Sequence, residues 1–597
     1  MTDCHRAYLQ LRDVLLGELS DDGFWVGELS SSALATATAV MALRQVERHS
    51  SFRFPKLIPD GIRWLLKYQN PDGGWGDTVR SVSNISTTML VQATLATCAE
   101  SQEEANNAAR RRAEVYVAGA GGRPALLARY GKDRTFSIPI LTHCALAGLV
   151  PWHEIPALPF ELACLPARLY RFLRLPVVSY ALPALIAIGQ VRHHHRPPWL
   201  PPLRWLRNLA RAPSLSVLQR IQPESGGYLE ATPLTSFVAM SLAAMDLVEH
   251  PVVRQGIRFL EDSVRDDGSW PIDTNLATWG TTLSIHALGP DLPSRLIPEL
   301  KNWLLGQQWN EVHPYTNAAP GGWAWTNLTG GVPDADDTPG ALLALSQLAG
   351  DRPDPDLDAA LVRGCRWLLD LQNRDGGWPT FCRGWGLLPF DRSAADLTAH
   401  ALRALQRVQR RLQCTKGTDD WSTVLPRLTT ARERGLAYLA RGQRSDGAWL
   451  PLWFGNQHSP GDENPTYGTA RVLLALQDLK VWKSDMARRG LAWLLSNQNS
   501  DGGFGGGAGT PSSLEETSWA VESLCSYPPD AEIAAEPVNR ALAWLVAAVD
   551  RQEWRTPSPI GLYFAKLWYF EKLYPLVYGV AALRCGCEWG ANQKGAT

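Results

Sequence analysis

Charge of one sign is missing from this sequence. Fifty-eight Lys and Arg face 59 Asp and Glu, for a net charge of -1. That balance excludes a chain built to grip nucleic acid through phosphate contacts. Paired cysteines are missing as well. The ten Cys are scattered from Cys4 to Cys587, no Cys-x-x-Cys occurs, and only Cys585 and Cys587 are close together. This reads as a reduced cytosolic chain, not a disulfide framework. The N-terminus has neither a basic nor a long apolar region, so no secretory leader is expected. No apolar run reaches the ~18 residues of a spanning helix. The nearest is Pro176 to Gly189, flanked by Arg174 and Arg192, which is expected to dip into a membrane surface at most. Period-2 runs rich in Val, Ile and Thr are nearly absent, which argues against a β protein.

Apolar mass and tryptophan are abundant. Hydrophobic residues make up 45% of the 597, enough for a large core and too many for global disorder. The length suggests more than one domain. Trp, normally the rarest aromatic residue, occurs 25 times against 14 Phe and 15 Tyr.

The tryptophans belong to a repeat. An amphipathic helix, a Gln, a polar turn and Gly-Gly-Trp recur at Gly61–Trp75, Gly364–Trp378, Gly435–Trp449 and Gly490–Phe504. Weaker copies end at Trp25, Tyr228, Trp270 and Trp323. An apolar helical stretch follows each turn, and a spacing of about 50 residues marks repeated helix pairs. The expected fold is all-α, with helix hairpins closing into α/α barrels. Within a turn, Asp-Gly-Gly supplies a positive φ, the Asp can cap the next helix, and the Gln amide can bind a helix end with the Trp stacked on it. Most of the tryptophans are therefore expected to be structural staples.

The segment Gly321–Leu345 carries Asp334, Ala335, Asp336 and Asp337. Three carboxyls in four residues repel when ionised, and burial keeps a proton among them. In isolation such a run is an acidic turn or a cation site. Between an aromatic turn and an apolar helix it suits general-acid chemistry.

These turns and this acidic run resemble those of the squalene–hopene cyclase-type class II terpene cyclases, over nearly the whole chain. The resemblance implies two α/α barrel domains, residues 1–26 plus 273–597 with the acid motif, and residues 27–272. It implies that Asp336 protonates an alkene with Asp334 and Asp337 as partners. It also implies that His400, in Asp396–His400, pairs as a cation with the cluster. Carried over position by position, the aromatic lining that steadies carbocations is Trp325, Trp279, Phe504, Tyr180, Phe136, Phe381, Tyr563 and Phe570. Phe136 has Arg134 beside it.

This sequence departs from the family at Gly280, which replaces an Asp. Pro559 and Leu567 stand where the family has aromatics that serve late rings, which puts a pentacyclic product in doubt. Ala and Thr in Glu28–Val40 replace a Glu-bearing stretch that places the terminating water.

Residues 159–213 read as an entrance and membrane face, with His193, His194 and His195 in a basic interfacial loop rather than a metal site. The expected function is acid-initiated polycyclisation of squalene or a related linear polyprenoid, without cofactor or metal. The expected location is peripheral, on the cytoplasmic face of a membrane, with no nucleic-acid partner and with a homodimer left open. A sesquarterpene, a prenylated aromatic or a shorter prenyl chain is the alternative substrate. A zinc-dependent prenyltransferase β-like subunit would need an Asp-x-Cys and a distant His. The sole Asp-Cys is Asp3–Cys4, at the very N-terminus. A non-catalytic barrel protein would not need the acidic run. No DDxxD run and no phosphate-binding Gly loop occurs.

Overall fold

A computed structural model describes residues 2–98, 103–131, 134–172, 179–350, 352–381, 390–414, 421–528, 531, 533–562 and 566–595. Among them the chain is helical, and the single sheet is two short strands. Ser31–Ser32 pairs antiparallel with Trp270–Pro271.

Two hydrophobic cores form. The first gathers residues from Ala33 to Trp270, joined by Tyr315, Val332 and Phe381. Its inner helices Ala33–Arg48, Ile85–Thr97, Ser137–Leu146, Leu182–His195 and Thr232–Ala243 each pack on the next, and the last returns to the first. The second core takes Cys4 to Leu29, then resumes at Ile272. Its inner ring runs through Ala277–Leu288, Asp337–Leu348, Ala395–Cys414, Pro465–Asp478 and Leu514–Cys525 to Tyr574–Gly595, which closes on Ala277–Leu288. Both rings are closed α/α barrels. The β1–β2 pairing, with β1 at Ser31–Ser32 and β2 at Trp270–Pro271, marks where the chain crosses from one core to the other.

Sequence explains the two layers. Inner helices such as Ile85–Thr97 carry no charge on any side and are almost wholly buried. Outer helices such as Leu57–Lys67 bury one stripe: Ile58, Ile62, Trp64 and Leu65.

The turns tie inner to outer helices through an invariant set of bonds. Gln372 Nε2 donates to Gly376 O (2.8 Å) and to Ala431 O of the next outer helix (2.9 Å). Trp378 Nε1 donates to Leu368 O (2.9 Å), and its main-chain N donates to Thr398 Oγ1 of the following inner helix (3.0 Å). Gln69 with Trp75, Gln308 with Trp323, and Gln443 with Trp449 repeat the arrangement. The glycine is obligatory: Gly376 has φ +95°, and a Cβ there would lie 2.4 Å from Arg434 O.

The Asp does not cap the next helix, as expected, but binds inside its own turn. Asp72 Oδ1 accepts from Gly74 N and Ser83 Oγ, while Asn84 caps the helix Ile85–Thr97. Ser, Thr, Asn and Asp at the helix start itself outcompete a residue ten positions away.

Two expectations for residues 159–213 change. Leu182–His195 is an inner helix, with Ile186, Ala187 and Ile188 fully buried, so that part of the apolar run belongs to the barrel, while Pro176 to Val178 lie outside the described residues. The three histidines end that helix and do not form a loop. His193 bonds Asn208 (2.9 Å) and His195 stacks on Trp152 at 4.3 Å.

Candidate active site

The acidic run sits where the turn ending at Trp323 enters the inner helix Asp337–Leu348. Asp334 Oδ1 accepts the main-chain N–H of Asp336 (2.8 Å) and of Asp337 (2.7 Å). It therefore caps the helix. Asp336 and Asp337 are left to other uses.

Burial raises all three carboxyls. Asp334 is pushed up to about 6, because the main-chain N–H groups and the Asp337 side chain that bond it pull against burial. Asp336 is held well above the carboxylate range by burial, then by the charges of Asp334 and Asp396, with Arg471 opposing. Asp337 is raised by burial and by Asp334 and Asp336. The cluster keeps protons at neutral pH, and Asp336 holds one at the cavity wall.

His400 lies on the neighbouring inner helix, its ring edge-on to Trp279 at 6.2 Å and next to the Asp336 main chain. Burial, reinforced by Arg471 and Arg403, holds His400 well below the usual histidine range, which disfavours the expected cation. The buried cation near Asp336 is Arg471, on Pro465–Asp478, 5.9 Å over the Tyr467 ring. Arg471 also acts on Glu522, which bonds His286 at 2.9 Å. Asp396, one turn before His400, accepts from Leu452 N and Trp453 N at 3.1 Å.

Asp334, Asp336 and Asp337 open on a cavity of about 590 Å³ between the two barrels, lined almost entirely by apolar side chains. Trp325, Trp279, Tyr180, Phe136 and Phe381 line it, as expected. Trp325 and Phe381 lie 6.1 Å apart, and Tyr180 meets Phe390 edge-on at 4.1 Å.

Two expected residues are elsewhere. Phe504 is fully buried in its turn, bonded through its main-chain N to Thr517, because that position faces the helix hairpin as the turn tryptophans do. Phe570 lies under Arg80 at 5.1 Å, its strand-like backbone paired with Ser30, and not in the lining. Tyr563 falls outside the described residues. Leu567 does line the cavity, and Pro559 does not.

Sequence reasoning missed Phe390, Trp453, Phe454, Tyr569 and Tyr574 in the lining, and Arg471. The Trp453–Phe454 pair follows a turn and reads as another staple. Arg471 stands in an unremarkable helix. Only knowledge of which helix faces the acid identifies it.

Among the described residues no three His, Cys, Asp or Glu converge as a metal site.

Comparison with known proteins agrees with this geometry. The squalene–hopene cyclase C-terminal domain matches residues 276–585, and the N-terminal domain matches residues 9–197. Enfumafungin synthase of Hormonema carpetanum is 28% identical, covering 95% of this chain and 47% of its own length. The chain spans about half of that relative and of a fused cyclase–glycosyl transferase from Humicola fuscoatra. A squalene–hopene cyclase of Bradyrhizobium diazoefficiens is 23% identical, with 94% of this chain and 92% of the relative covered. The solved ent-copalyl diphosphate synthase of Streptomyces platensis shares the fold at a TM-score of 0.63 and 18% identity, with 98% and 100% covered. With family domains matching most of its length and an aspartate run opening on an aromatic cavity, the chain belongs to the squalene–hopene cyclase family.

Proposed function

We propose that the chain is a class II terpene cyclase that starts polycyclisation of a linear polyprenoid, squalene among them, by protonating a terminal alkene. The observation that carries this reading is Asp336, its carboxyl held well above the carboxylate range by burial, on the wall of an apolar, aromatic cavity.

The Asp336 O–H bond breaks as its proton joins one alkene carbon, and the other carbon becomes a tertiary cation. Successive alkenes attack that cation, each forming a C–C bond and passing the charge along. The carboxylate left on Asp336 is stabilised by the Arg471 charge. The π faces of Trp279, Trp325 and Phe381 stabilise the cations, by about 2 kcal/mol or more each where water is excluded.

A second reading, a different polyprenoid or a partly cyclised product, is favoured by Leu567. It presents an aliphatic face to the cavity where an aromatic one would serve a late cation.

An apolar surface supports attachment to a membrane. Phe172, Trp199, Trp205 and Leu209 are 83%, 86%, 66% and 55% exposed, a density that marks an interaction face. Arg204 and Arg211 alternate with them, as in an interfacial helix. No helix among the described residues is long and apolar enough to cross a membrane. We infer peripheral attachment through this face, on the cytoplasmic leaflet.

Purified protein incubated with squalene, with Asp336→Asn as control, tests the reaction by gas chromatography–mass spectrometry. Cyclic products absent from the control support it. Untouched squalene and untouched prenylated phenols together would overturn it. Flotation with liposomes, lost on replacing Trp199 and Trp205 by Ser, tests the membrane face.

A further inference from the structure

Among the described residues, the cavity holds one acidic side chain outside the Asp334–Asp337 run, and initiation does not use it. Asp273, just past the Trp270–Pro271 strand, lines the cavity among apolar neighbours. Its Oδ1 is buried without a hydrogen bond, while the Trp325 indole N–H and the main-chain N–H groups of Thr274 and Asn275 are turned towards the rest of the carboxyl. An acid left incomplete in an apolar cavity is costly unless a ligand completes it.

Behind Asp273 stands Glu230. An antiparallel bridge joins Ala231 to Asp273 and brings the two carboxyls to neighbouring strands of chain. Glu230 accepts from Ser225 Oγ (2.6 Å), Gly330 N (2.8 Å) and Thr274 Oγ1 (3.4 Å). Burial raises the Glu230 carboxyl above its ordinary value, and these three bonds pull against it. Leu229 and Glu230 both adopt left-handed φ, 57° and 52°. Side chains of this size take that conformation only where the surroundings hold them in it. Burial, and then the Glu230 charge, hold Asp273 well above the carboxylate range, so the pair keeps one proton and has room for a second.

We propose that Asp273, backed by Glu230, is the hydroxyl subsite of this cavity, holding the oxygen that captures the last cation, whether of a water molecule or of the substrate's own hydroxyl. The proposal rests on the cyclase reading. The oxygen lone pair forms the C–O bond to the cation. The O–H bond breaks with its electrons kept on oxygen, and the proton passes to the Asp273–Glu230 pair. The pair returns it to solvent before the next turnover. Initiation and termination then use separate acid groups, Asp336 and Asp273. The helix Ala33–Arg48 brings only Leu34 to the cavity, so it supplies no competing carboxyl.

The test compares the full chain with Asp273→Asn and Asp273→Leu, after thermal melts establish that each is folded. Squalene is supplied in H2(18)O, and a geranylgeranylated phenol in a parallel reaction. The expected wild-type product carries a C–O bond: an (18)O-labelled alcohol if water is the source, an unlabelled cyclic ether if the substrate is. Asp273→Leu is expected to cut the ratio of oxygenated to alkene product at least tenfold. Wild-type products free of C–O bonds, or a ratio unmoved by both variants, overturn the proposal. If neither substrate is consumed, the cyclase reading fails separately, and crystal structures decide the subsite. An ordered water on the Asp273 carboxyl, absent in Asp273→Leu, upholds it. A dry carboxyl overturns it.

Discussion

The Asp334 carboxyl accepts the main-chain N–H of Asp336 at 2.8 Å, so two residues of one short motif do opposite jobs. Asp334 spends its Oδ1 on the helix start and is the most acidic of the three. Asp336, relieved of capping, turns to the cavity and keeps its proton.

Replacing Asp336 by Asn removes the proton and keeps the shape. Product formation is expected to fall to below about a hundredth, in line with the loss of a general acid. The melting temperature should stay within a few degrees. An active Asp336→Asn protein would reassign the acid.

Asp334→Asn keeps an oxygen for the cap and removes a charge. That charge raises Asp336, so its loss lowers Asp336. Activity requires protonated Asp336 and disappears as pH rises through its value. The alkaline limb of the rate profile is therefore expected to move to lower pH. A profile that moves upward or not at all contradicts the assignment. Asp334→Ala loses the cap as well and should cost about 1 kcal/mol of stability by denaturant titration.

Glu522 sets an acid limit on stability. Burial pushes it up, but the His286 bond and the Arg471 and Arg403 charges outweigh that and bring it to about 2, from an ordinary 4.5. A depressed carboxyl stabilises the fold above its unfolded value and loses that contribution as pH falls towards its folded one. Between about pH 4.5 and 2 the wild type should lose stability more steeply than Glu522→Gln. Calorimetry across that range reads the difference.

Cys4 and Cys587 place their sulfurs 3.3 Å apart, on the first and last helices. A mild thiol oxidant should join them into a bridge that peptide mapping detects. Cys4→Ser should abolish it. A Cys4 that bridges elsewhere would mean the two helices are packed differently.

Much of this was legible in the sequence, for physical reasons. The turn chemistry is local: Gln, Gly and Trp at fixed spacing bond one another and their nearest helices. Eight copies therefore announced the layered fold without any long-range information. Asp334, Asp336 and Asp337 were legible because three adjacent carboxyls are rarely neutral in effect. What escaped is non-local. Phe504 looked like lining but fills a turn, since sequence does not say which face of a hairpin is the cavity. Arg471 and Tyr569 reach the acid only through barrel closure. The expected cation at His400 is disfavoured by burial, and then by Arg471 and Arg403, which are distant in sequence and stand near it.

The second barrel begins with Thr2–Gly17 and ends with Tyr574–Gly595, which pack side by side, while the first barrel is one continuous stretch between them. A ribosome releasing this chain delivers the whole inserted barrel before the outer one has its closing helix. The opening helix must wait for nearly the entire chain, its apolar face carried by Ala7, Leu11 and Leu15. The order of synthesis thus favours folding of the inserted barrel before the barrel that carries the acid.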